Sequence, residues 1–254
     1  MDIIIDTHRL KLSENPELFD SALLTVIFLH DSLGCIELWR DFPQKIKEAV
    51  NCNVLSYDRK GYGQSDPFSE SERDHEYLTN EARVLGKLID HLVLKNVVLF
   101  GHSDGGSIAL IAASLFSEKI KGIITEGAHI FVEEETLEGI RNAKTAYATT
   151  SLKKKLSKYH GDKTESVFKM WTETWLSSSF LGWNIESYLP GIQCPSLIIQ
   201  GEKDEYGTLK QVTSIVQKTS GRATSLIIPK IGHTPHKEAP EIVIKNTVNF
   251  ISML

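Results

Sequence analysis

Hydrophobic residues along the chain gather into short continuous runs separated by longer amphipathic stretches. Leu24 to Leu29 (LTVIFL), Asn53 to Tyr57, Asn96 to Phe100, Lys121 to Glu126 (KGIITE) and Pro195 to Gln200 (PSLIIQ) are such runs. A strand with one wet face alternates apolar and polar residues, so unbroken runs of this length predict strands covered on both faces. Between them, FPQKIKEAV after Asp41, the segment from about His75 to His91, Gly106 to Phe116 and Leu209 to Thr219 carry apolar residues at helical spacing. A strand over Thr224 to Ile228 and a helix over Glu238 to Met253 close the pattern, and residues 3 to 12 predict two short edge strands around Asp6-Thr7. This βαβα order predicts a mostly parallel sheet with right-handed crossovers and helices on both faces. Ligands then belong at the carboxyl ends of the strands.

From Ala128 to about Leu189 the alternation stops. The composition there turns charged, aromatic and helix-forming, as in LKKKLSKYH and ESVFKMWTETWLSSSF. Trp171 and Trp175 stand four apart and so share one helix face. They either pack the helices of this segment on one another or line a pocket.

The chemistry concentrates in Val97 to Leu110, VVLFGHSDGGSIAL, which contains Gly101-His102-Ser103-Asp104-Gly105. A β-branched run leads in and a small-residue helical run leads out, the context a G-x-S-x-G turn requires. Serine on so sharp a turn takes a strained backbone, and glycine is needed two residues to either side because a Cβ would collide across the turn.

With that context the chain resembles the α/β-hydrolase superfamily, and the resemblance covers nearly its whole length. It implies an α/β core from residues 1–127 and 190–254, with residues 128–189 inserted as a helical cap. It implies a nucleophile at Ser103 and a base at His233, in the Gly232-His233 loop before the last helix. The acid is Asp204 in GEKDEYG, with Glu126 as competitor because some members carry the acid after that earlier strand. A serine hydroxyl needs a base to take its proton and a third group to fix the base's tautomer, and the chain order Ser, Asp, His is the one this superfamily uses. His129 and His236 are the other histidines placed near enough to matter; His129 follows a strand and either lines the pocket or sits in an ordinary loop. His102, inside the turn, is expected to pack.

Two backbone N–H groups must hold the oxyanion. The resemblance assigns them to Asp104 and Ser32, in the loop His30-Asp31-Ser32-Leu33-Gly34. Asp31 stands where the family has glycine, and aspartate tolerates a left-handed backbone better than most residues. Asp58-Arg59-Lys60-Gly61-Tyr62-Gly63-Gln64-Ser65 is similar to a loop found beside the site across the superfamily, and Asp58 and Arg59 read as structural. A carboxylate at Asp104, beside a developing oxyanion, calls for a structural partner such as a backbone N–H or Arg59, or for a cationic group on the substrate. Asp31, His129, Trp171 and Trp175 complete the candidate substrate-binding set.

Composition narrows the class. The 254 residues carry a net charge of −5 with the charges scattered, so neither nucleic acid nor an anionic membrane is expected as partner. The amino terminus lacks the basic start and long apolar core of a signal peptide, so a cytoplasmic protein is expected, as monomer or homodimer. Cys35, Cys52 and Cys194 form no CxxC, and the histidines show no metal-ligand spacing, so no disulfide, metal or cofactor is expected. Ser103 argues against dehalogenases and epoxide hydrolases, which carry aspartate there. The expected activity is hydrolysis of a small-molecule carboxylic ester or lactone through an acyl-enzyme. The alternatives are C–C bond hydrolysis of a small ketoacid and a receptor-like binding protein with an idle triad.

Overall fold

The computed structural model describes residues 1–254. Eight strands form one sheet: β1 (Asp2–Ile5), β2 (His8–Leu12), β3 (Thr25–Leu29), β4 (Asn53–Asp58), β5 (Val97–His102), β6 (Ile120–Glu126), β7 (Ser196–Gly201) and β8 (Ala223–Ile228). Their order is β1-β2-β4-β3-β5-β6-β7-β8. The first two strands pair antiparallel at the edge, and β2 meets β4 antiparallel. All other pairings are parallel, as the continuous runs predict. Every residue of β3, β4, β5 and β7 is buried, whereas β1 alternates exposed and buried.

Helices cover both faces. One core lies under α2 (Tyr77–His91), α3 (Asp104–Leu115) and α7 (Leu209–Lys218). A second, smaller core lies under α1 (Phe42–Val50) and α9 (Pro240–Ile251). The helix expected over Glu238 to Met253 is two pieces, a short α8 (Pro235–Glu238) and α9, because Pro240 cannot donate into a continuing helix. Residues 128–189, between β6 and β7, hold α4 (Glu134–Thr149), α5 (Leu152–His160) and α6 (Thr164–Trp175). All three cysteines are free and buried, and burial lifts the Cys35 thiol to about 12.

The arrangement fixes where chemistry can occur. β3, β5, β6 and β7 run parallel and adjacent, so the segments leaving their carboxyl ends emerge at one edge. Ser32, Ser103, Gly127 and Asp204 all lie in those segments.

Candidate active site

Ser103 sits between β5 and α3 at φ 54° and ψ −119°. A non-glycine residue so placed carries about 1–3 kcal/mol of strain and persists only where its surroundings over-determine it. Here the Ser103 N–H donates to the Glu126 carbonyl at 2.8 Å, and the Ser103 carbonyl accepts from Gly106 at 2.8 Å and Ser107 at 3.1 Å. The flanking glycines leave no choice: a Cβ on Gly101 would stand 2.1 Å from the Gly105 carbonyl oxygen, and one on Gly105 would stand 1.9 Å from that of Leu29.

Asp204 and His233 meet at the same edge. His233 Nδ1 donates to Asp204 Oδ1 at 2.8 Å, which leaves Nε2 free to accept a proton. Asp204 Oδ1 also accepts the Tyr206 N–H at 2.9 Å, and the His233 N–H donates to Glu205 Oε2 at 3.2 Å. Burial pushes the His233 pKa down, but the Asp204 carboxylate outweighs it and the net shift is upward. Burial likewise opposes ionisation of Asp204, and His233 reverses that too, holding the carboxyl below its ordinary value. Gly127, at φ 54°, makes the room: a Cβ there would lie 2.8 Å from His233 Cε1. Ser103 Oγ and His233 line one cavity without a formed hydrogen bond between them, a link that in such sites tightens on substrate binding.

Glu126, the rival acid, is engaged elsewhere. Its Oε2 lies 2.6 Å from His236 Nδ1, both side chains being buried. Burial lifts the Glu126 carboxyl to about 7, and burial followed by the Lys237 cation pushes His236 down to about 3. Both shifts favour the uncharged forms of this pair.

Asp104 and Ser32, the residues expected to present N–H groups to an oxyanion, line the same cavity as Ser103. Asp104 opens α3, so its N–H has no carbonyl one turn earlier to bond. The Ser32 N–H has no acceptor within the chain, and Ser32 lines the cavity. Asp31 does not adopt the left-handed backbone anticipated for it. It holds the loop through its side chain instead: Oδ1 accepts the Leu33 N–H at 2.7 Å and Oδ2 faces His102 Nδ1 at 3.2 Å. His102 therefore does more than pack, since its Nε2 also donates to the His233 carbonyl at 2.8 Å. Arg59 Nη2 donates to the Asp31 carbonyl at 2.9 Å, and Asp58 accepts the N–H groups of Ile36 and Gln64 at 2.7 Å each.

The Asp104 carboxylate has protein partners. Tyr77 Oη donates to its Oδ2 at 3.1 Å, and Arg59 Nη2 stands 3.8 Å from the same oxygen. Trp175 Nε1 donates to Tyr77 Oη at 2.8 Å, so α6 reaches the elbow through one phenol. An unpaired buried carboxylate costs several kcal/mol, and these two contacts offset that cost at Oδ2. Tyr77, Tyr206 and Gly127 carry no motif that sequence reasoning could have used. Only their neighbours in space reveal them.

The cavity has a volume of about 230 Å³. Ser103, His233, Ser32 and Asp104 line it together with Asp31, His129, Trp171, Trp175, Glu205 and Tyr206. Trp171 packs against Phe168 and Tyr206, and Trp175 against His129, Phe180 and Trp183. Each indole thus belongs to the hydrophobic core and to the cavity wall at once. His129 Nε2 donates to the Tyr206 carbonyl at 3.0 Å, and its Nδ1 has no partner. Asp31, Asp104 and Glu205 put three carboxylates on the lining, which includes no lysine or arginine. No cluster of three or more His, Cys, Asp or Glu side chains is arranged to hold a metal ion, and no helix is long and apolar enough to cross a membrane.

A strained serine on a strand-to-helix turn, open at the carboxyl edge of a mostly parallel sheet, defines a class of folds. The family model described as alpha/beta hydrolase fold matches residues 25–240, and the chain belongs to that family. It is 33% identical to serine hydrolase BPHL of Homo sapiens over 188 residues, 70% of this chain but only 62% of that protein's length. It is 24% identical to 2-hydroxy-6-oxononadienedioate/2-hydroxy-6-oxononatrienedioate hydrolase 1 of Pseudomonas putida, across 90% of this chain and 88% of that one. Among solved structures, MGS-M2, an alpha/beta hydrolase enzyme from a Medee basin deep-sea metagenome library, superposes with a TM-score of 0.80 at 19% identity, covering 99% and 97% of the two chains.

Two outcomes test this geometry. Asp204→Asn is expected to cost about four orders of magnitude in kcat by favouring the wrong imidazole tautomer. Glu126→Gln, which touches only the His236 pair, should lower the melting temperature and leave the rate within roughly tenfold. The reverse ranking would transfer the acid's role to Glu126. The second outcome is a pH profile. If His233 is the base it must be neutral to act, so activity should be lost as pH falls through its raised pKa, and the rising limb should lie above the ordinary histidine value. Residual activity of Asp204→Asn should show that limb moved to lower pH.

Proposed function

We propose that the protein is a serine hydrolase of small carboxylic esters or lactones. In this reading Ser103 Oγ attacks the acyl carbon as His233 Nε2 takes its proton. Asp204 holds the imidazole in the accepting tautomer. The N–H groups of Asp104 and Ser32 receive the oxyanion, the leaving alcohol departs with the proton from His233, and water repeats the sequence on the acyl-enzyme. The observation that carries the reading is the 2.8 Å His233–Asp204 hydrogen bond beside a serine whose strain is held from both sides. Strain of that kind is retained at sites that use it.

The Pseudomonas relative's name describes hydrolysis of an oxo-diacid. Against that substrate class stands the lining, which already bears Asp31, Asp104 and Glu205 and offers no lysine or arginine to receive two further carboxylates. A neutral ester or one carrying an ammonium group fits the charge better. Tyr77 and Arg59 both engage Asp104 through Oδ2, and no donor in the chain reaches Oδ1. An ammonium on that oxygen would form a charge-assisted hydrogen bond worth about 1.5–3 kcal/mol, a preference of roughly ten- to a hundredfold.

Ser103→Ala is expected to fold, to lose labelling by a fluorophosphonate probe and to lose nearly all turnover of short p-nitrophenyl esters. Turnover within about tenfold of wild type would reject the serine mechanism, and labelling without turnover of any ester or lactone in wild type would favour a binding protein. For the charge argument, the ratio of kcat/KM for an amino ester over its neutral isostere should exceed about ten in wild type and collapse toward one in Asp104→Asn. A ratio near one in wild type would leave Asp104 with only its structural bonds.

A further inference from the structure

His160 ends α5, in the segment inserted between β6 and β7, yet its ring is buried against two loops that leave the sheet. Nδ1 accepts the Gly63 N–H at 3.0 Å, and Nε2 faces the Leu33 carbonyl at 2.9 Å. A backbone N–H can only donate and a carbonyl can only accept, so Nδ1 is bare and Nε2 carries the proton. The neutral imidazole satisfies both contacts in one tautomer and one orientation. Gly63 belongs to the loop after β4, and Leu33 to the loop after β3.

The second contact reaches the residue expected to present an N–H to the oxyanion. Arg59 Nη2 holds the Asp31 carbonyl at 2.9 Å, and in a trans peptide the N–H of the same unit, that of Ser32, points the opposite way. On the other side of Ser32, the Leu33 N–H donates to Asp31 Oδ1 at 2.7 Å and the Leu33 carbonyl receives His160. Ser32 is thus held from both flanks, and one of the anchors comes from the inserted helices. We propose that His160 is a positioning residue for the Ser32 N–H, so that the inserted helices complete the oxyanion site as well as lining the cavity. The inference rests on the serine-hydrolase reading, with Ser32 as an oxyanion donor.

The ring does not hold the inserted segment in place alone. Lys163, three residues further on, donates through Nζ to the carbonyls of Tyr62 and Ser65 in the loop after β4. Loss of the imidazole therefore leaves α5 tethered and frees chiefly the Leu33 carbonyl. The ring is also neutral wherever the site can work. Burial lowers its pKa below the ordinary histidine value; the Leu33 carbonyl, Asp31 and Asp58 pull upward, and Lys163 adds to the lowering. Burial keeps the neighbouring His30 neutral too, and the Tyr62 ring stands 6.0 Å away. His233 is shifted the other way, so as pH falls it takes up its proton, and stops acting as base, before His160 does. The acid limb of the rate profile then belongs to His233, with no second limb from His160.

Two variants separate positioning from packing. His160→Phe keeps an aromatic ring and loses both bonds; His160→Gln keeps an acceptor and a donor on either side of one carbon, as the neutral ring does. His160→Phe should lower kcat by about ten- to a hundredfold with KM within about threefold, short of the roughly hundred- to thousandfold that deleting an oxyanion donor costs. His160→Gln should recover most of that loss. Each is compared on a short ester and on its thiono analogue, which puts sulfur, a weak acceptor, where the oxyanion would form. The His160→Phe deficit should shrink on the thiono ester. An equal deficit on both esters, a deficit carried by KM alone, or a His160→Gln enzyme as slow as His160→Phe overturns the proposal. Ring ¹⁵N NMR of histidine-labelled wild type should show His160 with a single proton, on Nε2, across the pH range of the rising limb. A proton on Nδ1 there overturns the proposal even if neither variant folds. Turnover by Ser103→Ala, by contrast, would defeat the hydrolase reading itself.

Discussion

The left-handed backbone of Ser103 is a local cost that the rest of the molecule is built to hold. Nothing in an isolated peptide would keep a serine at φ 54° and ψ −119°. It stays there because β5 delivers the chain between two strands with every residue buried, and α3 departs with its first ten residues buried. Leu29 presses its carbonyl into the space a Gly105 side chain would need, so the end of β3 is brought against the elbow. The loop carrying Ser32 begins one residue later, and its proximity to Ser103 follows from the same close approach.

Charge around the elbow is arranged with similar economy. Arg59 is 1% exposed and lies on the ring of Tyr62 at 4.7 Å while donating to the Asp31 carbonyl and facing Asp104. One cation thereby restrains the loop after β3 through its backbone and moderates the carboxylate beside Ser103. The path from Asp104 continues through Tyr77 to Trp175, so a helix inserted between β6 and β7 is bonded to the turn after β5. A change in how α6 packs would reach Asp104 through a single phenol.

Continuous apolar runs identified the central strands because burial on both faces removes the polar alternation that would otherwise mask them. Ser103, Asp204 and His233 were also legible, each following a run that ends in a polar loop, so that topology alone brings them to one edge. What the sequence withheld was contact between loops. His102 carries no sign that its two nitrogens reach Asp31 and His233, 71 and 131 residues away. Asp31 suggested a backbone adaptation, whereas its carboxylate bonds the loop directly and leaves φ unstrained. Glu126 and His236 each qualified as triad members by position, and only their 2.6 Å bond to one another shows that they are occupied together.

The acidic lining bears on how such a site would empty. Under the proposed reading, hydrolysis would turn a neutral ester linkage into a carboxylate within a cavity of about 230 Å³ that already presents Asp31, Asp104 and Glu205. Like charges at this spacing repel, most strongly where walls exclude water. The acid product would be driven outward by the groups that received its parent, and its return would be opposed. Turnover in such a cavity would be rectified by the charge of its walls: the uncharged ester linkage enters without the repulsion that the carboxylate made from it meets.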